Sequence, residues 1–403
     1  MLDEPRLKVA PGPNKAKVKP TWGLVLGKSG TPEACLHNAV ALLHHAHEWG
    51  APGRLGFDAF SGRCMVDGRA LLEADELELT MWLQRGWSTR FSEGVAIKAL
   101  RAACFARTYD ALTDSVSGLA WDGVPRVDTF TETYLAAEGT LHHRAAGRVL
   151  LLSMAARALK PGCKVDTMVI LEGSQGTKKS TAAQILGGPF FAELHATVGT
   201  QASFEQVEGA WLMEVGELDA MGKAELSAAK KFMSSLSDRY RKAYARTVTD
   251  VPRRCVMIGT TNNSVYLRDE TGGRRWLPVA CRGEVDAVGL RRDRDQLLAE
   301  AVHRVRAGEK WWMEDAAELA AAKAEVDERY EVDPWDERIS LYLGARTSVT
   351  VDELLSALTV PVEARDQRTS NRVTKVLTHA GWTRGWRWNA RIQKSERCYN
   401  KKA

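Results

Sequence analysis

One short stretch of the chain has the residue types and spacing of a phosphate-binding loop. It is MVILEGSQGTKKSTAAQIL, residues 168–186. The template for such loops is Gly, any four residues, Gly, Lys and then Ser or Thr. Gly173, Lys179 and Ser180 match the first glycine, the lysine and the hydroxyl, while Lys178 replaces the second glycine. The stretch therefore predicts a loop that holds a triphosphate, with one departure from the template.

The chemistry of this loop rests on backbone N–H groups and on the first turn of the helix that follows. Such groups surround the β-phosphate, and the helix amino terminus adds partial positive charge. We expect Lys179 to reach the β- and γ-phosphates and Ser180 to hold Mg²⁺. The candidate residues for binding ATP are Gly173, Ser174, Gln175, Gly176, Thr177, Lys178, Lys179, Ser180 and Thr181.

The lysine at position 178 raises a conformational question. That position often needs a positive φ, which costs a residue other than glycine about 1 kcal/mol or somewhat more. Gly176 supplies another flexible point in the loop. The strain is therefore compatible with phosphate binding, and a chance match to the template is the alternative.

Three further features of a triphosphate site follow the loop in order. The apolar run AWLMEVGEL carries Glu214 and Glu217 at its end, and either carboxylate could orient a metal-bound or attacking water. The run VMIGTTNN ends in Asn262 and Asn263, and the amide of Asn262 could bond that water or the γ-phosphate. Arg274 and Arg275 then follow two glycines and could stabilise the developing charge. Their ordered combination favours a hydrolytic site over a chance match.

The elements that must position these residues alternate between short apolar runs of β character and helical segments. This alternation predicts an α/β core, a mostly parallel sheet with flanking helices. Helical spacing dominates before the loop, and two helices with a strand pair at the end suggest a winged helix. The predicted segments are a disordered leader (1–20), a helical domain (21–164), a P-loop core (165–285), a helical connector (286–338) and a winged-helix-like domain (339–403).

Composition excludes several classes of protein. The chain has 403 residues, 44% of them hydrophobic and 27% charged, without an apolar run of membrane-spanning length. Its seven cysteines form no C-x-x-C pair, which argues against a zinc site and a disulfide framework. We expect a protein of the cytoplasm of a bacterial host, with no membrane partner. The net charge of +5 is concentrated in the final residues, from Pro361 onward.

Two regions combine basic and aromatic residues in the manner of nucleic-acid binding sites. In SSLSDRYRKAYARTVTD the candidate DNA contacts are Arg241, Lys242, Tyr244 and Arg246. The alternative is a solvated loop whose arginines serve a neighbouring ATP site. In the carboxyl-terminal region the candidates are Arg387 and Arg391, on a presumed wing that could bind duplex DNA. Contact with a protein is the alternative there.

The span from about residue 118 to 279 resembles the virulence-associated protein E family. These are phage and island-borne ATPases of the AAA+ class, similar to superfamily three primase-helicases. The resemblance is carried by LAWDGVPRVDTF, ALKPGCKVDTMVILEGSQGTKKST, WLMEVGELDAM, KKFMSSLSDRYRKAYAR and PRRCVMIGTTNNSVYLRDETGGRRWLPV. It implies an ATP-dependent motor on DNA, built as a ring of identical subunits, with a hexamer expected.

The resemblance also implies roles for individual residues. It makes Glu217 the favoured catalytic carboxylate and partner of Ser180 in holding Mg²⁺, with Glu214 second. Asn262 matches the sensor position. Arg274 and Arg275 match the family's arginine pair, delivered from a neighbouring subunit; an ion pair within the same chain is the alternative. The family has glycine where this chain has lysine at position 178, which bears on turnover more than on binding.

These observations predict an ATP-driven DNA helicase or translocase that serves replication of a phage or mobile element. A first alternative is an ATP-binding replication initiator or interference module without motor activity, which the lysine at position 178 favours. A second is a small-molecule kinase on the same scaffold, against which the arginine pair and the basic carboxyl-terminal region argue.

Overall fold

A computed structural model describes residues 23–28, 30–44, 54–87, 90–216, 218, 223–241, 248–267, 273–329, 334–389 and 393–401. The chain forms two compact units, residues 1–329 and 330–403. The leader predicted for residues 1–20 lies outside the described residues. No helix in the described ranges is both long and apolar enough to cross a membrane.

The first unit begins with a small layer of helices on a four-stranded sheet. Its elements are α1 (Leu36–His44), β1 (Leu55–Asp58), β2 (Arg63–Val66), β3 (Arg69–Ala70), α2 (Glu73–Trp87), α3 (Glu93–Phe105), β4 (Thr108–Tyr109) and α4 (Ala111–Ser117). The strand order is β3-β2-β1-β4. The helices share a core with the sheet that includes Leu42, Trp82 and Leu100. The sequence predicted helices here but not this sheet, because strands of two to four residues carry too little periodicity to recognise.

A long buried helix connects this layer to the central sheet. The elements are α5 (Phe130–Leu135) and α6 (Leu141–Leu159). Thr140 caps α6 by accepting a hydrogen bond from the backbone N–H of His143. Most of α6 is buried, which agrees with a sequence that is apolar around most of the helix.

The central sheet of the first unit has five strands, all parallel. Its elements are β5 (Met168–Glu172), α7 (Lys179–Gly187), β6 (Phe191–Glu193), α8 (Gln201–Val207), β7 (Leu212–Val215), α9 (Lys223–Met233), β10 (Val256–Thr261) and β11 (Trp276–Ala280). The strand order is β11-β5-β10-β7-β6. Strands β5, β7 and β10 are buried at every residue, as expected for parallel strands covered on both faces. The predicted α/β class, with a mostly parallel sheet and flanking helices, is confirmed.

Three further pieces complete the first unit. An antiparallel hairpin, β8 (Ser237–Tyr240) and β9 (Thr249–Pro252), precedes β10. Two helices, α10 (Ala287–Arg306) and α11 (Ala316–Glu328), follow β11. Leu297 and Leu298 of α10 join the same hydrophobic core as Leu151 of α6 and Leu171 of β5, so these helices cover the sheet.

The second unit is a helical layer with a three-stranded antiparallel sheet. Its elements are α12 (Asp336–Leu343), β12 (Ser348–Val349), α13 (Val351–Ala357), α14 (Gln367–His379), β13 (Trp382–Asn389) and β14 (Lys394–Lys401). The strand order is β12-β14-β13. Val373, Leu377 and Trp382 belong to its core. The two helices and the strand pair predicted here are present.

Candidate nucleotide-binding site

The loop between β5 and α7 uses positive φ angles at three positions. They are Gly173 (φ 151), Gly176 (φ 86) and Lys178 (φ 64). A Cβ at position 173 would lie 2.7 Å from the carbonyl oxygen of Cys281, so this residue must be glycine for the segments to approach. Position 178 has the left-handed conformation that the sequence predicted, occupied by lysine.

Lys179, the first residue of α7, folds its side chain back over the loop. Its Nζ donates to the carbonyl oxygens of Gly173 at 2.7 Å and Ser174 at 2.9 Å. Nζ also lies 3.2 Å from Oδ1 of Asn262 and 3.3 Å from Oγ1 of Thr177. Burial lowers the pKa of Lys179 from its ordinary value. The structure thus brings the predicted lysine and the predicted sensor amide into direct contact.

Glu214 of β7 connects the helix after the loop with a neighbouring strand. Its Oε1 accepts hydrogen bonds from Ser180 Oγ at 2.6 Å and Thr260 Oγ1 at 2.7 Å. Its Oε2 is buried and has no hydrogen-bond partner among the described residues. An unpartnered buried carboxylate oxygen is unfavourable unless a ligand satisfies it. Three segments of the chain, α7, β7 and β10, therefore converge on one carboxylate.

These residues fit a magnesium ion on chemical grounds. A carboxylate oxygen and a hydroxyl are hard oxygen donors, which Mg²⁺ prefers, and the ion typically keeps several waters and binds the phosphates of a nucleotide. Oε2 of Glu214, which has no hydrogen-bond partner among the described residues, could serve as a metal ligand beside Ser180 Oγ. Glu217, the other predicted metal ligand, lies outside the described residues.

A cavity of about 790 Å³ opens in front of these groups. Lys178, Lys179 and Ser180 line it on one side, and Glu214 and Asn262 line it at the strand ends. Its volume lies in the range of sites for small ligands and cofactors. It lies at the carboxyl edge of the parallel sheet, where open α/β sheets bind ligands.

Lys178 and the segment after β11 form one wall of the loop. Lys178 Nζ forms an ion pair with Glu284, and both side chains are about half exposed or more. The backbone N–H of Val285 donates to the carbonyl oxygen of Thr177 at 3.1 Å. The loop is therefore fastened to the chain that follows β11.

The predicted arginine pair lies at the amino ends of the strands, opposite the carboxyl ends where the cavity opens. Arg274 and Arg275 precede β11, whose first residue, Trp276, pairs with Met168 at the start of β5. The loop follows the other end of β5, about 16 Å away along a five-residue strand. Arg275 Nε lies 3.9 Å from Asp166 Oδ2, the contact within the chain that was the alternative, and Arg274 is exposed. The structure does not bring the pair to the loop of its own chain.

The predicted DNA contacts are only partly within the described ranges. Arg241 follows β8 and is exposed. Lys242, Tyr244, Arg246 and Arg391 lie outside the described residues. Arg387, in the second unit, donates to Glu396 at 2.7 Å and also pairs with Glu353.

Sequence reasoning missed a buried ion pair at the end of β5. Glu172, the residue before the loop, accepts from Arg329 Nε at 2.8 Å and Arg329 Nη2 at 3.0 Å. Tyr266 donates its hydroxyl to the same carboxylate at 2.7 Å. The backbone N–H groups of Tyr266 and Leu267 bond the carbonyl oxygen of Arg329. The available signal was a glutamate that ends an apolar strand directly before the loop.

Comparison with known proteins gives one family match. The model described as the virulence-associated protein E-like domain matches residues 116–331, which is more than half of the chain. A search of curated proteins gave no match.

Two solved structures of the NrS-1 C terminal region are similar to the chain. The apo structure of that region (305–718) has a TM-score of 0.48 and 11% sequence identity, over 86% of this chain and 96% of that chain. The A form apo structure has a TM-score of 0.45 and the same identity and coverage.

Proposed function

The chain belongs to the virulence-associated protein E-like family, and we propose that it is an ATP-driven DNA helicase or translocase. We infer that it serves replication of a phage or another mobile genetic element in a bacterial cytoplasm. One observation carries the ATPase proposal. It is the meeting of Lys179, Ser180 and the half-satisfied carboxylate of Glu214 at the mouth of one cavity.

ATP is proposed to bind with its triphosphate along the loop and with its γ-phosphate towards the strand ends. Lys179 would exchange its contacts with loop carbonyl groups for phosphate oxygens, because ammonium–phosphate bonds are charge-assisted. Mg²⁺, when bound, would neutralise phosphate charge, held by Ser180 and Glu214. Asn262 would orient the attacking water, and Glu217 remains a candidate for preparing it. Hydrolysis would thus depend on positioning and electrostatics.

The strand order and the position of the loop support a P-loop AAA+ core. Loop and cavity lie at one edge of the parallel sheet, and the arginine pair lies at the other. A ring would bring Arg274 of one subunit to the cavity of the next, where an arginine stabilises the transition state for phosphoryl transfer. We therefore propose a homo-oligomeric ring, with six subunits expected.

DNA is proposed to bind at two places. The β8–β9 hairpin would place Arg241, Lys242, Tyr244 and Arg246 in the channel of the ring, where cations neutralise phosphates and an aromatic ring stacks on a base. The second unit, with helices α13 and α14 before a strand pair, is proposed to be a winged helix. Its candidates for duplex contact remain Arg387 and Arg391.

ATP hydrolysis by the wild type and Lys179→Ala, with and without single-stranded DNA, tests this proposal. Lys323→Ala is a matched control, since Lys323 is an exposed lysine of α11 paired with Asp327. We expect DNA to stimulate the wild type and Lys323→Ala equally. Lys179→Ala should lose at least about a hundredfold in rate, because it removes the positive charge that would contact the transferred phosphate. An unchanged, DNA-stimulated rate in Lys179→Ala would contradict the assignment.

A second candidate function is an ATP-binding initiator or interference module without motor activity. The ion pair of Lys178 with Glu284 at the loop favours it, because a tethered loop could hold nucleotide without fast turnover. Such a module would bind ATP with negligible hydrolysis on any DNA. The same assay, combined with a measurement of nucleotide affinity, distinguishes the two functions.

A further inference from the structure

The strand pair of the second unit carries two tryptophan side chains outside its core. Trp386 and Trp388 of β13 are each 65% exposed. Trp382, on the same strand, is 5% exposed and packs in the core. Because side chains alternate along a strand, all three lie on one face of the sheet. Beyond Trp382 this face no longer packs against the core and forms an exposed aromatic strip. Exposing such large apolar side chains to water is unfavourable for the folded protein.

Cations accompany this strip. Arg397 lies opposite Trp386 on β14, with its guanidinium 5.6 Å from the centre of the indole ring. Arg384, on the same face, donates its Nε to the Tyr399 hydroxyl at 2.8 Å. Within the described part of the chain, neither Arg384 nor Arg397 has a carboxylate at ion-pair distance. The face is therefore both aromatic and positive.

The acidic side chain of the strand pair lies on the other face. Glu396 is directly opposite Arg387 and bonds it at 2.7 Å. Arg387 also pairs with Glu353. Arg387 thus shares its charge with two carboxylates, whereas Arg384 and Arg397 have no carboxylate at ion-pair distance among the described residues.

We propose that this tryptophan face, made of Arg384, Trp386, Trp388 and Arg397, binds single-stranded nucleic acid by stacking bases on the two indole rings. The arginines would meet the phosphates. The proposal rests on the proposed function, since it adds a site where a DNA motor binds its single strand. Binding at this site does not require ATP hydrolysis.

Geometry favours a single strand over a duplex. Positions 386 and 388 are about 6.7 Å apart along an extended strand, roughly twice the 3.4 Å rise per nucleotide in duplex DNA. Two rings at this separation fit bases that are pulled apart from each other. A duplex hides the faces of its bases, so flat exposed rings could not stack on them. Positive charge beside the rings favours a polyanion over an apolar protein surface.

Binding of labelled oligonucleotides to the full chain without nucleotide tests the proposal. Fluorescence anisotropy would compare fluorescein-labelled oligo(dT) with a hairpin duplex for wild type, the double variant W386A/W388A and the double variant W386F/W388F. Leu341→Ala is the matched control, because Leu341 is 75% exposed in the same unit. The alanine pair should weaken oligo(dT) binding at least about tenfold, and the phenylalanine pair, which still stacks, should retain most of the affinity. Duplex affinity and Leu341→Ala should not change.

Three results would overturn the proposal. They are unchanged oligo(dT) affinity in the alanine pair, an equal loss for oligo(dT) and duplex, and an equal loss for phenylalanine and alanine pairs. If the variants fail to fold, ultraviolet crosslinking of oligo(dT) carrying 5-iodouracil to the wild type replaces them. An adduct on Trp386 or Trp388 supports stacking, and adducts exclusively elsewhere refute it. Absence of ATP hydrolysis in the wild type would refute the motor and leave this binding test intact.

Discussion

Replacing Glu214 by glutamine separates a metal-binding carboxylate from a structural one. Glu214 is 4% exposed, and its Oε1 already accepts two hydrogen bonds, from Ser180 and Thr260. Glutamine keeps the size and one acceptor oxygen, so both bonds can persist. It removes the negative charge and replaces the orphaned Oε2 with an NH₂ group that cannot bind a cation.

The expected magnitude differs between the free and the liganded protein. In the free protein, two hydrogen bonds change from charged to neutral acceptors, which loses roughly 2 kcal/mol in the free energy of unfolding. Relief of an unpartnered buried charge offsets part of this loss. With Mg·ATP at about 100 times its Kd, the wild type gains about 2.7 kcal/mol. If the variant binds tenfold more weakly, it gains only about 1.4 kcal/mol at the same concentration.

Thermal unfolding with ATP, in the presence of Mg²⁺ or of a chelator, measures both quantities. The magnesium-dependent part of the shift in Tm should shrink in Glu214→Gln, while the shift without Mg²⁺ should match that of the wild type. Hydrolysis should fall at least about a hundredfold, since a metal supplies several kcal/mol to the transition state. Equal magnesium-dependent shifts and equal rates in the two proteins would refute the placement of Mg²⁺ at this carboxylate.

Three further predictions concern the loop, its support and the ring. Lys178→Gly should raise the free energy of unfolding by up to about 1 kcal/mol, because it removes left-handed backbone strain and loses only an exposed ion pair with Glu284. Its turnover should equal or exceed that of the wild type. Calorimetry and an ATPase assay check both expectations, and a large loss of activity would show a separate role for the lysine. Arg329→Met should lower the free energy of unfolding by about 3–5 kcal/mol in urea titrations, because it leaves the buried carboxylate of Glu172 without a cation. A loss below about 1 kcal/mol would contradict the importance of that ion pair. Arg274→Ala should abolish hydrolysis while preserving nucleotide affinity. Mixing it with Lys179→Ala subunits, which keep their own arginine, should restore part of the activity. If such mixtures stay inactive, the result argues against an arginine supplied by a neighbouring subunit.

Three strands of the central sheet, β5, β7 and β10, were predictable because they are buried on both faces. Such strands appear as continuous apolar runs, and VIL of β5, LMEV of β7 and VMIG of β10 are visible in the sequence. Strands β1 to β4 were not, since pairs such as Arg69–Ala70 and Thr108–Tyr109 have no pattern of their own and depend on tertiary contacts.

The candidate site was predictable in its local part. The positive φ of Lys178 follows from the template, and Lys179 and Ser180 are adjacent to it in sequence. Contacts between distant segments were not predictable from one sequence. The bond of Thr260 to Glu214 spans 46 residues, and that of Arg329 to Glu172 spans 157. Spacing alone also left open whether Glu214, within β7, or Glu217, after it, is the proposed catalytic carboxylate.

A crystal structure of the full chain with Mg²⁺ and a non-hydrolysable ATP analogue is the most direct measurement. It should show the β- and γ-phosphates within hydrogen-bond distance of Lys179 Nζ, the ion beside Ser180 Oγ, and Glu214 Oε2 directed towards the ion or its waters. An analogue bound elsewhere, with the loop and the bonds of Lys179 to Gly173 and Ser174 unchanged, would contradict the account.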